Sequence, residues 1–449
     1  MALEITKELI ENVKELIINK KDIALNDFFS ETHHADIAEV LDELSFNEAI
    51  YIIRLLDSET TADVLMEIDE DIREKIFERL SSKEIAEEIE ELDTDDAADV
   101  IAELPEERKQ EVIQNIEDKE HAKEIVELLR YDEDTAGGLM AKELVKVNEN
   151  WNVLTCVKEM RQQAEEVTRV HSIYVVDNEG KLKGRLSLKD LLMASTRSKI
   201  AEVYIPKVDF VDVHDKAEEV ANVMRKYDLE AIPVIDERGV LVGRITIDDI
   251  VDVIKEEADK DYQLAAGITQ DVEAGDSIVQ LTKARLPWLF LGLIGGMGAF
   301  LIMKNFENSF QENAFLFFFT PLIAAMAGNV GVQSSAIIVQ GLANDDVKGS
   351  IKSRLIKEMF LALLNGVVLT IFLFFFVFAY EQEFIKALAV SISLIVVIVV
   401  AGLIGTFIPL FLNKRGIDPA IATGPFITTS NDIFGILIYF SIAKLVLGI

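Results

Sequence analysis

The sequence has one cysteine in 449 residues, Cys156, so no disulfide forms within the chain and folding needs no oxidising compartment. Histidine is almost as scarce. His33, His34, His121, His171 and His214 all precede the long apolar segments and none stands in an HExxH arrangement, which excludes an intramembrane zinc protease. Basic residues are outnumbered, 44 against 79 acidic ones, for a net charge of -35. A phosphate backbone is bound by Lys and Arg that displace its counterions, so nucleic acid is not an expected partner and cations are. The N-terminus, MALEITKELIENVKEL, lacks the apolar core of a secretory signal and reads as an acidic amphipathic helix. Membrane insertion is therefore expected to rest on C-terminal segments.

What is present is divided along the chain. Residues 286–449 hold nine basic and nine acidic side chains, whereas residues 1–285 hold 35 and 70, so the whole charge deficit lies in the first part. A bilayer core needs about 20 apolar residues in a helix. Five stretches meet or approach this: Leu286 to Met303, Asn313 to Ala343, Met359 to Tyr380, Ala387 to Asn413, and Pro419 to Ala443. Soluble core helices are excluded, because five such runs with short polar loops would leave no surface. Lys283, Arg285, Lys348, Lys352, Arg354, Lys357, Lys414 and Arg415 fall in loops of one side, against Lys304 and Lys386 on the other. That side is expected to be cytoplasmic, with the acidic N-terminal part, and the C-terminus outside.

The fifth run contains one charge, Asp432, in DPAIATGPFITTSNDIFG. A carboxylate near the bilayer interior costs ~2.5 kcal/mol or more, so it should face a water-filled path or a partner. No intramembrane Lys, Arg or His stands nearby in sequence to neutralise it, and a cation path is the expectation; a protonated Asp hydrogen-bonded in the bundle is the alternative. The second run carries MAGNVGVQSS, with Gly328, Asn329, Gly331 and Gln333, and the fifth carries Thr423, Gly424, Pro425, Thr428 and Thr429. Both segments are expected to be broken or loosened, exposing carbonyls at membrane depth, which is tolerated only where protein or water satisfies them. Hard divalent cations take oxygen ligands, and Mg²⁺ sheds its waters reluctantly, so few carboxylates plus carbonyls suffice to hold it hydrated. A symmetric dimer would bring two copies of Asp432 to one axis.

Residues 1–137 lack strand signals and carry 42 acids against 14 bases. HHADIAEVLDEL, TADVLMEID and DAADVIAELP recur as Ala-Asp-aliphatic units, the pattern of stacked helical pairs. From Gly138 strands and helices alternate. HSIYVVDNEGKLKGRLSLKDLLMA at 171–194 parallels EAIPVIDERGVLVGRITIDDIVDV at 230–253, each a strand, a turn at Gly180 or Gly239, a second strand and a helix, preceded by an amphipathic helix at Val153 to Ala164 or Ala217 to Tyr227. This duplication resembles a tandem pair of CBS domains, a regulatory module. Ser187-Leu-Lys-Asp190 and Thr246-Ile-Asp-Asp249 match that family's nucleotide-ribose motif; equally, Ser187 and Thr246 serve as helix N-caps without any ligand. A charged helix then runs from about Asp249 to Ala266 toward the membrane.

PLIAAMAGNVGVQSS, IDPAIATGPFITTSNDIFG, the CBS pair, the charged connecting helix and the HADIAEVLDEL region together resemble the MgtE magnesium channels, in order and over essentially the full chain. The resemblance implies a multidomain membrane protein: an all-α N-terminal superhelical domain (1–137), tandem α/β CBS domains (138–200 and 201–254), a connecting plug helix and linker (255–283) and a five-helix all-α transmembrane domain (284–449). It implies a plasma-membrane homodimer, not an enzyme, that passes Mg²⁺ and is gated by cytosolic Mg²⁺; a broader carrier of Co²⁺, Mn²⁺ or Ni²⁺ is the alternative. It places the pore at Asp432, with Asn329, Gln333, Gly328 and Thr428 around it. The implied sensor ligands are Asp95, Asp96, Asp99, Glu218, Asp228, Asp249, Asp252, Glu257 and Asp261, and ATP is the candidate nucleotide at Ser187, Asp190, Thr246 and Asp249. Lys260 stands where some members have an acid, and Val332 and Gly424 where some have asparagine.

Overall fold

The computed structural model describes residues 3–164, 167, 169–270, 272–344, 347, 349–422 and 424–449. Lys348 and Thr423, which entered the sequence reading, lie outside the described residues. The chain forms two units, residues 1–254 and 255–449.

The first unit opens with ten short helices among the described residues, from α1 (Lys7–Ile18) to α10 (Lys119–Leu128), including α8 (Thr94–Glu103). Polar residues cap several of them, as Thr6, Asp57 and Asp118 do. Ser45 with Glu48 and Ser81 with Glu84 form reciprocal boxes that satisfy the free N–H groups of two helix starts. Alternate helices pack on one another, α3 (His34–Asp42) on α5 (Ser58–Glu67) and α8 on α10. The Ala-Asp-aliphatic units supply the buried faces, with Ala62, Val64, Ala98 and Val100 in the core. Stacked pairs of this kind are what the repeated units suggested.

Two three-stranded sheets follow. The first is β1 (Val145–Asn148), β2 (Ile173–Val176) and β3 (Leu182–Leu186); the second is β4 (Val211–Asp212), β5 (Ala231–Ile235) and β6 (Leu241–Thr246). In each, the first strand pairs parallel with the second through a crossover helix, α11 (Val153–Gln163) or α13 (Ala217–Tyr227), and the last two form an antiparallel hairpin. Gly180 and Gly239 turn these hairpins at φ +80° and +78°, where a side chain would be strained. In the chain, α12 (Leu188–Met193) comes between β3 and β4.

The core of this unit is not divided as the sequence is. Helices α1 to α10 share one cluster with the second repeat, including Val211, Val220, Ile232 and Ile250, while the first repeat has its own around Val145, Cys156 and Ile173. Residues 136–141 pair with the second repeat: the N–H groups of Ala136, Gly137 and Ala141 donate to the carbonyls of Asp215, Val213 and Arg244. A long helix, α14 (Ile247–Ala266), then leads out of the second repeat.

The second unit holds five helices of membrane-spanning length, α15 (Ile278–Phe306), α16 (Phe315–Ala343), α17 (Ile351–Glu381), α18 (Phe384–Lys414) and α19 (Gly424–Leu447). The expectation of a broken second span does not hold. Helix α16 is continuous, because its glycines keep helical backbone and are used for close approach instead. Gly331 backs onto Gly405 of α18 on one side and onto Asn431 of α19 on the other, and a methyl group at Gly331 would collide with the Asn431 amide. In the fifth run the irregular stretch is the 3-10 turn Pro419–Ala422 together with the first residue of α19, Gly424 at φ +42°, so Thr428 and Asp432 stand on regular helix.

Candidate functional site

Two arrangements of acidic residues emerge, one in each unit. In the membrane unit, Asn431 binds α19 to α16 by donating its Nδ2 hydrogen to the Ala327 carbonyl at 3.3 Å. This seam fixes the next residue, Asp432, against a helix face bare of side chains: a Cβ built at Gly328 would lie 3.9 Å from Asp432 Oδ1 and 3.3 Å from Thr428 Cγ2. The result is a cavity of about 340 Å³ lined by Ala324, Ala325, Gly328, Asn329, Val332, Gln333, Thr428 and Asp432. All five residues expected around the pore therefore meet at one cavity. Its polar lining is one carboxylate, two side-chain amides and a hydroxyl, with no histidine or cysteine, which is an oxygen-rich set suited to a hard cation that retains its water. Thr428 donates its own hydroxyl hydrogen to the Gly424 carbonyl at 3.0 Å, leaving the oxygen's lone pairs for the cavity.

A second membrane carboxylate escaped the sequence reading. Glu358 lies on α17 one residue ahead of the uncharged run, and its Oε1 accepts the Ser334 hydroxyl of α16 at 2.6 Å. Counting charge-free runs stops at a charge and so defines such a residue out of the membrane.

In the first unit the acids gather at the start of α8. Asp93, Asp95 and Glu143 each offer an oxygen within 4.8 Å of the others. Glu143 is held there by Thr94, whose N–H and hydroxyl donate to its two oxygens at 3.2 and 2.8 Å, and the Lys142 N–H donates to Thr94 Oγ1 at 2.8 Å. Arg244 approaches Asp93 at 3.8 Å. Asp95 is buried, and its carboxyl is pushed well above the usual carboxylate range by that burial and then by the charges of Asp96, Asp249 and Asp93. Burial, followed by Asp249 and Asp93, pushes Asp96 up to about 7. Asp249 is pushed up to about 6 by burial, although Thr246 donates both N–H and O–H to it at 3.0 and 2.8 Å. Such mutual repulsion is relieved by protons or by a cation.

The structure thus brings Asp95, Asp96 and Asp249 together and adds Asp93 and Glu143, which sequence reasoning missed; no spacing signal ties Glu143 to α8, 40 residues earlier. Exposed Asp99 lies within electrostatic reach of Glu133, Glu103 and Asp249. The remaining expected ligands stand along α13 and α14. Glu218 is in the first turn of α13 and Asp228 ends that helix at φ +51°. Asp252 is exposed on α14, Glu257 pairs with Lys260 at 2.9 Å, and Asp261 is half-buried further along. At the ribose motifs the capping alternative is visible: Ser187 Oγ accepts the Lys189 N–H at 3.2 Å, and Asp249 is the partner of Thr246 at the head of α14. Asp190 lies in the first turn of α12.

A pH dependence follows for the divalent-free protein. The raised carboxyls of Asp96 and Asp249 bind protons up to about 7 and about 6 when folded, but only near the ordinary 3.8 when unfolded. Between those limits the folded form holds more protons, so stability falls as pH rises through the window. Protease cleavage of residues 1–254 in the full chain should be slower at pH 5.5 than at pH 7.5 without divalent ions, and millimolar Mg²⁺ should remove the difference. Faster cleavage at pH 5.5 would contradict the assignment.

Comparison with known proteins finds family matches in both units of the chain. The family model for the MgtE divalent cation transporter matches residues 320–442, that for the MgtE intracellular N domain residues 32–134, and that for the CBS domain residues 136–197 and 200–256. The magnesium transporter MgtE of Thermus thermophilus is 37% identical over 325 residues, 71% of this chain and 72% of that protein. That of Enterococcus faecalis is 36% identical over 71% of this chain and 70% of its own length. Among solved structures, the cytosolic domain of the Mg²⁺ channel MgtE in complex with ATP is 35% identical with a TM-score of 0.52, covering 54% of this chain and 99% of that one. The soluble part of a magnesium transporter gives a TM-score of 0.51 at 30% identity, covering 56% and 99%.

Proposed function

The chain belongs to the MgtE family of divalent cation transporters, and we propose that it conducts Mg²⁺ across a membrane through the cavity at Asp432. The family is one of transporters rather than enzymes. The observation that carries the reading is the convergence of Asp432, Asn329, Gln333, Gly328 and Thr428 on one cavity between α16 and α19. Residues 138–200 and 201–254 act as regulatory CBS domains, residues 1–137 as an acidic sensor, residues 255–283 as the connecting plug and linker, and residues 284–449 as the conducting domain. The plasma-membrane orientation that best fits the basic loops puts the N-terminal part in the cytoplasm and the C-terminus outside.

A homodimer completes the path. One carboxylate per chain is thin for a dication, and twofold symmetry supplies a second. Cytosolic Mg²⁺ binds among Asp95, Asp96, Asp99, Glu218, Asp228, Asp249, Asp252, Glu257 and Asp261, and closes the path when plentiful. ATP is the nucleotide ligand proposed at Ser187, Asp190, Thr246 and Asp249, by likeness to the ATP complex of the related cytosolic domain.

The test is Mg²⁺ entry into dye-loaded liposomes bearing the purified chain, with Co²⁺, Mn²⁺ and Ni²⁺ as competitors. Saturable entry above that of protein-free vesicles is expected, with Mg²⁺ preferred. Entry of Co²⁺ or Ni²⁺ at the same rate as Mg²⁺ would favour the broader carrier.

A further inference from the structure

Glu358 is a membrane-unit carboxylate that this transport reading leaves unused. Its place is built by three helices. On α17 it heads the stripe that continues through Ala362, Gly366 and Thr370 at intervals of four, the spacing that keeps residues on one helix face, and those three are buried. Against it on α18 lies Gly402, where a Cβ would stand 2.9 Å from Glu358 Oε1, so a side chain there would require the carboxylate to shift. From α16 comes the Ser334 hydroxyl, itself only 6% exposed. A glutamate reaching for the headgroup interface would not turn inward onto a buried serine. Among the described residues no Lys or Arg forms an ion pair with it.

A carboxylate taken out of water is costly unless it is hydrogen-bonded, and a bond from hydroxyl to carboxylate is among the strong ones. The pair therefore resists sliding or turning of α16 against α17. On a helix of 3.6 residues per turn, adjacent positions point about 100° apart. Ser334 facing the bundle thus obliges Gln333 to face the cavity, and Asn329 one turn earlier with it. Three residues away on each helix, Gly331 of α16 touches Gly405 of α18, a contact that sets distance but, lacking side chains, sets rotation poorly.

We propose that Glu358 is a positioning residue for the ion path: by holding Ser334 it fixes the rotation of α16, and so aims Asn329 and Gln333 at the cation beside Asp432. The proposal rests on the cavity being the path. It implies that the bond matters for discrimination among ions, not only for folding, since a small rotation of α16 alters which oxygens meet the hydrated ion.

The experiment uses the full chain in liposomes, with E358A, S334A, their double variant and E358Q, reading Mg²⁺ flux and the Mg²⁺ to Co²⁺ flux ratio on protein that elutes as wild type does. E358A and S334A should each lower Mg²⁺ flux roughly tenfold, the scale of one hydrogen bond to a charged group, and lower the ratio. The double variant should be no worse than either single one, because both remove the same bond. E358Q, whose amide oxygen still accepts from Ser334, should recover most of the loss. Wild-type flux and ratio in S334A would overturn the proposal, as would an E358Q as impaired as E358A. Should E358A fail to fold, S334A and E358Q decide. Intact flux in D432N would instead show that the cavity is not the path, a failure of the transport reading that the Glu358 series does not imitate.

Discussion

Asp432→Asn should reduce Mg²⁺ flux by about two orders of magnitude while leaving the chain folded and inserted. The substitution keeps the shape of the side chain and the Asn431 seam beside it, so the packing of α19 on α16 is preserved. What it removes is the one charge in the cavity lining. A dication about 5 Å from a carboxylate is attracted by roughly 6 kcal/mol at an effective dielectric of 20, and if even half survives the disturbance of its hydration, about 3 kcal/mol corresponds to a hundredfold in occupancy. Flux within a factor of two of wild type, at equal amounts of inserted protein, would remove Asp432 from the ion path.

The second large effect concerns the sensor. Asp95→Asn combined with Asp249→Asn should abolish the response of residues 1–254 to Mg²⁺. In the native chain these two carboxylates press on one another and on Asp96, and such groups close together only with a cation or protons between them. On the proposed sensor function, millimolar Mg²⁺ would convert that repulsion to bridging and favour the compact state, a population shift that several weak sites together can drive. Amides neither repel nor bridge. In the double variant, protease cleavage within residues 1–254 should no longer slow as Mg²⁺ is added, and flux should no longer fall as Mg²⁺ rises on the side bearing this unit. An unchanged Mg²⁺ midpoint for either readout would show that these acids are not the sensor.

Much of this architecture was legible in the sequence because it depends on local regularities. Run length alone located five apolar runs, and each contains most of one of the helices α15 to α19 or lies within it, the fifth helix starting five residues into its run. The tandem repeat located both hairpins, since a glycine at positive φ between two β-branched runs has few other uses. Short β1 and β4 carried no such pattern; they exist because β2 and β5 offer an edge to pair with. The glycines of α16 were misread as breaks. In sequence a glycine that loosens a helix and one that admits a neighbouring helix look alike, and only Gly405 and Asn431, 74 and 100 residues away, tell them apart. The same distance hid Glu143, which Thr94 draws into the acidic cluster, and Glu358, whose partner Ser334 sits on another helix. Asp432 was legible for the opposite reason: a lone charge in an apolar run costs too much to be left without a use.

The most direct measurement is the current carried by Mg²⁺ through the purified wild-type chain in a lipid bilayer, recorded as Mg²⁺ is raised on the side exposing residues 1–254. If the cavity at Asp432 conducts and the acidic unit senses, the current is present at low Mg²⁺ on that side, falls as Mg²⁺ passes through the millimolar range and returns on washing. A bilayer in which Mg²⁺ carries no current, or a Mg²⁺ current indifferent to the concentration on that side, would contradict the account.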